Sequence, residues 1–185
     1  MAILKTKRSK WIVGSVVLVA MVVGTLFGLP SGGKSHTLPL TMASMNAAPY
    51  FAPVTPSGVV PRDVLDALLI PQNSSRTGWR NYDQGNGQYD RQINILVHAN
   101  LNSTKTFFSS ALKNQAWKII NTHTITNGYE ILALHTGTDG YFWEVGVTMT
   151  SGGSTPGLGT QSASVKANDP GSSQVALRLL QYESA

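Results

Sequence analysis

The stretch Lys118-Ile119-Ile120-Asn121-Thr122-His123-Thr124-Ile125-Thr126-Asn127-Gly128-Tyr129-Glu130-Ile131-Leu132-Ala133-Leu134-His135-Thr136 decides the fold. Two runs rich in Ile, Thr and Leu flank Asn127-Gly128. A type I′ turn needs positive φ at both central positions, and Asn-Gly is the pair that adopts it most readily. The stretch predicts a β-hairpin with strands over 117–126 and 129–136. Asp139-Gly140 repeats the signal ahead of a third apolar run, 141–149.

Two-residue turns at both pairs imply a register. His123 then opposes Leu132, Leu134 opposes Val145, Leu132 opposes Val147 and His135 opposes Glu144. One face carries Ile119, His123, Ile125, Leu132, Leu134, Trp143, Val145, Val147 and Met149. The other carries Thr122, Thr124, Tyr129, Ile131, His135, Phe142 and Glu144. A slip of one residue at either turn exchanges the faces of everything beyond it.

Outward from this meander the chain offers further elements. Ile93, Ile95 and Val97 alternate with polar residues over 91–98, a strand. Phe107, Phe108, Ala111 and Leu112 form one apolar stripe of a helix over 104–115, with Asn102 or Ser103 as its cap. A last strand fits 174–182. Pro61 and Asp63 suit the first turn of a short helix that carries Val64, Leu65, Leu68 and Leu69 and stops at Pro71. Residues 72–89, with Gly78, Gly85 and Gly87, read as a loop. Residues 151–173 read as a long Gly/Ser/Thr/Pro loop, either mobile or functional. The fold class is α+β: an antiparallel sheet of about five strands with one helix packed on one face, spanning residues 58–185.

The N-terminal third has a different character. Residues 1–10 hold Lys5, Lys7, Arg8 and Lys10, and residues 11–29 are 19 uncharged residues. A helix of that length spans about 28 Å, close to a bilayer core. Basic residues before a span predict a cytoplasmic N-terminus and an exported C-terminal domain. The alternative is secretion after signal cleavage, although Leu29-Pro30-Ser31-Gly32-Gly33-Lys34 is a poor cleavage site. Residues 30–57 contain five of the nine prolines and no hydrophobic period, so they read as a tether. Tyr50 and Phe51 are unusual in a spacer and are expected to pack loosely on the domain or to dock a partner.

Composition narrows the function. With zero Cys there is no disulfide scaffold, thiol nucleophile or Cys-ligated zinc. The net charge of +5 looks like a nucleic-acid signature, but Lys5, Lys7, Arg8, Lys10 and Lys34 account for all of it. The exported part is formally neutral, which makes nucleic acid and lipid headgroups poor partners. The four histidines show no metal-ligand spacing, and His123 and His135 fall on opposite faces in the register above. Asp83-Gln84-Gly85-Asn86-Gly87-Gln88-Tyr89-Asp90 resembles a calcium loop only superficially, because Gly occupies the third and fifth positions. No Walker, dinucleotide or nucleophile-elbow motif occurs. No catalysis, cofactor or metal is therefore expected. An unrecognised hydrolase is the remote rival.

The pattern Phe107-Phe108-x-x-x-Leu112-x-x-x-x-Trp117, between a strand and an Asn-Gly hairpin, resembles a module of uncharacterised, membrane-tethered, exported proteins of high-GC Gram-positive bacteria. The resemblance covers about residues 90–150. Ala116 stands where that module has Gly before the Trp, and the family brings no catalytic residues to transfer. The plan it implies is a single-pass protein presenting a non-catalytic binding or accessory domain outside the cytoplasmic membrane, with a protein partner in the envelope. The alternative is a tethered small-ligand-binding domain with its site between the sheet and the 151–173 loop. The candidate interaction surface is Tyr129, Ile131 and Phe142, clustered on the face opposite the helix, with Arg76, Trp79 and Arg80 nearby. Large apolar groups grouped on a surface need a cover.

Overall fold

A computed structural model of the chain describes residues 40–56, 58–83, 88–152 and 171–182. The expected span over 11–29 and residues 30–39 and 57 of the expected tether lie outside the described residues. Among those described, no helix is long and apolar enough to cross a membrane.

The elements run β1 (Ser44–Asn46), α1 (Ala48–Phe51), α2 (Arg62–Ala67), β2 (Leu69–Pro71), β3 (Ser74–Asn81), β4 (Asp90–Val97), α3 (Leu101–Asn114), β5 (Lys118–Ile125), β6 (Gly128–Thr136), β7 (Phe142–Ser151) and β8 (Ser173–Tyr182). The six-stranded sheet has the order β3-β4-β8-β7-β6-β5, with every pairing antiparallel. A small second sheet pairs β1 with β2. The α+β class holds. The sheet gains a sixth strand because residues 74–81 form β3 instead of a loop. The alternation there was obscured by a bulge at Thr77, where the register shifts between Arg76 and Gly78.

The helix α3 begins earlier than its apolar stripe suggests. Asn100, not Asn102 or Ser103, is its cap: its side-chain oxygen accepts from the Ser103 N–H at 2.9 Å. Its far end closes as a Schellman motif. Trp117 N–H donates to the Leu112 carbonyl at 2.9 Å and Ala116 N–H to the Lys113 carbonyl at 3.3 Å. That motif places its αL residue just past the cap, and here Ala116 takes it, with φ of 59°.

Both hairpin registers differ from the two-residue Asn-Gly and Asp-Gly expectation. Ile125 pairs with Gly128, so the loop is Thr126-Asn127 and His123 opposes Glu130 instead of Leu132. Asn127 has φ of 58°, and Gly128 lies in β6. There a Cβ would sit 2.0 Å from the Met149 carbonyl oxygen. Gly128 is thus required for close approach to β7, not for the turn's dihedrals. The second loop is 137–141, since Thr136 pairs with Phe142. Gly140 supplies a φ of 82°, and Gly137 leaves room for the Trp143 indole and the Asp139 carboxylate. Five residues instead of two reverse the parity of β7 against β6, as the period of a strand demands.

The covered face follows from this register. Its rungs are Ala133–Val145–Leu179–Arg91, Ile131–Val147–Leu177–Ile93 and Tyr129–Met149–Val175–Ile95. Phe107, Phe108, Ala111 and Leu112 of α3 are buried with them, as are Val64, Leu68 and Ile70. Ile131 is therefore completely buried in the core, a correction to its expected place on the outer face, and Tyr129 packs against the same cluster.

Residues 44–54, read above as the end of the tether, belong to the packed structure. Ala47 and Phe51 are fully buried and Val54 nearly so. Three polar ties hold them. Tyr50 donates to the Ser74 carbonyl at 2.7 Å, Thr55 and Tyr89 share a hydroxyl hydrogen bond of 2.6 Å, and Arg91 donates to the Val54 carbonyl. Arg91 is itself buried, paired with Asp83 at 2.5 Å and placed over the Tyr89 ring. Tyr50-Phe51 packs on the domain as expected, but tightly and not loosely; its proline-rich flanks hide a four-residue helix with Pro49 in its first turn.

Candidate functional site

The second face of the sheet faces away from α3. Its rungs are Thr136–Phe142–Tyr182, Lys118–Leu134–Glu144–Leu180–Asp90, Asn121–Leu132–Gly146–Arg178–Gln92–Arg80 and His123–Glu130–Thr148–Ala176–Asn94. Among the described residues, no helix packs on it. Ala176, Thr150 and Leu96 toward one end are buried, whereas Phe142 and Tyr182 at the other end are 38% and 40% exposed. Leu132, Leu134, Glu144 and Leu180 between them are half-buried.

The polar groups here are organised. Arg178 grips Asp90 diagonally across β4 and β8 through two hydrogen bonds, 2.7 and 2.5 Å. Its guanidinium carbon lies 4.6 Å from the centre of the Tyr82 ring. The paired carboxylate holds Arg178 in its charged form and raises its pKa. Glu144 sits between Leu134 and Leu180. Burial pushes its carboxyl above the usual range, against the opposing pull of a 3.3 Å hydrogen bond from Tyr182 and of nearby Arg178. Burial also raises the Tyr182 hydroxyl, with the Glu144 charge acting in the same direction. The result is an apolar strip, Phe142–Tyr182–Leu180–Leu134–Leu132, crossed by a fixed carboxylate and a fixed guanidinium. Such a mixture of aromatic, aliphatic and Arg side chains is the composition of a recognition surface.

The expected interaction residues are divided among three places. Phe142 and Arg80 lie on this second face. Arg76 and Trp79 point to the covered side at the β3 edge, opposite Ile95 and Ile93. There Arg76 donates to the Tyr50 carbonyl at 3.2 Å and Trp79 stays 53% exposed. Tyr129 and Ile131 are on the covered side near the other edge, with Lys105 stacked 3.8 Å above the Tyr129 ring. Asp90, Glu144, Arg178, Leu180 and Tyr182 were not picked out. The signal for the last three was the alternation in 174–182, where Gln174, Ala176, Arg178, Leu180 and Tyr182 interleave with buried Val175, Leu177 and Leu179.

His123, His135 and several acidic residues have structural engagements. His135 opposes Trp143, not Glu144, and stacks 5.0 Å from Trp117. His123 lies on the second face, a correction to its expected core position, and pairs with Glu130 at 2.8 Å. Asp83 and Asp90, the flanks of the calcium-like stretch, each bind an arginine. Among the described residues no cluster of three or more His, Cys, Asp or Glu is arranged to hold a metal ion. Comparisons of the chain with protein-family models, curated proteins and solved structures return no match.

Proposed function

We propose that this chain is a single-pass membrane protein. It presents a non-catalytic binding module outside the cytoplasmic membrane and uses the Phe142–Tyr182 end of the second sheet face to contact a protein partner. The observation that carries this reading is the half-exposed strip of Phe142, Tyr182, Leu180, Leu134 and Leu132 around Glu144 and Arg178. Antiparallel sheets commonly leave one face in water, but that face then alternates to polar residues. Here five large apolar groups break the alternation, and a partner would bury them. The ordered Arg178–Asp90 pair supports a fixed contact geometry, because a guanidinium held by a carboxylate has already lost its side-chain freedom. Export and anchoring rest on the basic flank and the apolar run over 11–29.

Photo-crosslinking in native membranes tests the reading. A benzoylphenylalanine in place of Phe142 should give a discrete adduct, and the same residue in place of Trp79 should not. Leu134→Glu should abolish the Phe142 adduct without unfolding the domain, since Leu134 is only half-buried. Adducts from Trp79 alone would move the contact to the β3 edge and defeat the proposal.

A further inference from the structure

The formal neutrality of the folded part does not extend to α3. Among the described residues the carboxylates are engaged: Asp66 with Arg62, Asp83 with Arg91, Asp90 with Arg178 and Glu130 with His123, while Asp63 accepts from Thr138, Asp139 from the Trp143 indole and Glu144 from Tyr182. Helix α3 carries no acidic residue at all. Lys105 and Lys113, two turns apart, flank Thr106, Ser109 and the buried Ser110; Lys113 is exposed, whereas Lys105 is half-buried with its ammonium 3.8 Å above the Tyr129 ring. With Asn102 they line an open hollow of about 390 Å³. Among the described residues neither lysine forms an ion pair. Ammonium groups beside hydroxyls and an amide are the donors that a phosphate takes.

The point of chain entry is a second, independent observation. Leu40 and Met42 pack against the core, and Thr41 lies beside the first turn of α3, its hydroxyl donating to the Ser103 carbonyl at 3.4 Å. Only ten residues, 30–39, separate Leu40 from the end of the apolar run at Leu29. Even fully extended they reach no more than about 35 Å. The chain enters the domain at Leu40, so on the anchored reading that entry point stays within this distance of the end of the apolar run.

We infer that the solvent face of α3, with Lys105 and Lys113 at its centre, docks on the anionic lipid headgroups of the membrane that anchors the chain. This rests on the anchored reading proposed above. A basic side chain near an anionic leaflet shifts the docked-to-free ratio by about fivefold. Two such contacts would hardly retain a free protein, but a short tether supplies a high effective concentration, so they suffice to orient an attached domain. Docking by α3 turns the opposite sheet face, with Phe142 and Tyr182, outward toward a partner.

The sequence contains no cysteine, so single labelled positions are unambiguous. The full chain would carry a fluorophore at Thr106→Cys, with Thr148→Cys on the second sheet face as reference. It is reconstituted in phosphatidylcholine vesicles with and without phosphatidylglycerol, each containing a headgroup-attached quencher. The Thr106 label should be quenched more than the Thr148 label, only with phosphatidylglycerol, and less at high salt. Lys105→Gln with Lys113→Gln should lower the docked-to-free ratio at least tenfold. Equal quenching at the two positions, or quenching indifferent to lipid charge and to both lysines, overturns the docking. Label-to-label transfer that vanishes on dilution assigns the face to a second copy and overturns it too. Failure of the chain to float with uncharged vesicles instead overturns the anchor, a result separate from the others.

Discussion

Ile131 stands opposite Val147 across β6 and β7, and both are completely buried on the α3 side of the sheet. That one pairing sets the face of every residue in the two strands. It sends Leu132, Leu134, Glu144 and Phe142 to the other side. The partition of the meander into core and contact surface can therefore be tested residue by residue.

Ile131→Ala should cost about 2–5 kcal/mol, the range for removing a fully buried aliphatic side chain. Phe142→Ser, on the exposed side of the same sheet, should change stability by about 1 kcal/mol or less. Chemical denaturation of the two variants checks the pair. Equal effects would mean that the register is wrong. Trp143→Ala belongs with Ile131→Ala, at about 3–5 kcal/mol.

The packed segment 44–54 makes truncation informative. Removing residues 1–39 should leave a cooperatively folding domain, because among the described residues the packing against the core begins at Leu40 and Met42. Removing residues 1–57 strips Ala47, Phe51 and Val54 from the core and leaves Arg91 without its Val54 partner. That fragment should lose most of its stability. Phe51→Ala alone should cost about 3–5 kcal/mol. Thermal unfolding of the two truncations distinguishes them directly.

The αL conformation of Ala116 gives a stabilising prediction. A Cβ at positive φ costs about 1 kcal/mol that glycine avoids, although glycine returns part of it as unfolded-chain entropy. Ala116→Gly should raise stability by about 0.5–1 kcal/mol and the Tm by about 2–4 °C. The change matches the Gly of the module that the sequence resembles. A lower Tm would show that the Schellman end of α3 is not formed as described.

Two titrations are shifted in the same direction by burial, at opposite ends of the pH scale. The carboxyl of Glu144 is raised above its ordinary 4.5 by burial, so the fold favours its uncharged form. That contribution is complete below 4.5 and is lost as pH rises through the higher folded value. Glu144→Gln should thus match the wild type in acid and exceed it in stability at neutral pH. Tyr89 is pushed up to about 12 by burial. Its contribution is complete below the ordinary 10.0 and is lost as pH rises through about 12. Tyrosinate absorbance should show one of the six tyrosines ionising last, together with alkaline unfolding.

Periodicity alone made most of the elements legible. The alternation in 91–98 and 174–182, the stripe of α3 and the two turn-bearing junctions each reflect a local rule, and each element stands within a few residues of its expected place. The α+β class followed from those elements together. Register was settled elsewhere. Asn127-Gly128 is compatible with a turn at either of two positions, and the carbonyl of Met149 on a third strand selects the one that keeps a Cβ away from it. The five-residue loop at 137–141 likewise depends on Trp143 reaching the Asp139 carboxylate, at 3.2 Å from its indole nitrogen. β3 and the 44–54 segment were hidden for a related reason. A bulge and a proline erase the local period, and only the core they cover shows that they belong to the fold. The contact surface depends on all of these at once. Asp90, Glu144 and Arg178 lie on three different strands, and the pairing of β4, β8 and β7 brings them within reach of one another. Local sequence carries the choice of helix or strand, because that choice rests on neighbouring dihedrals and spacing. The face each strand shows depends on contacts between residues far apart in the chain, and these exist only once the sheet has formed.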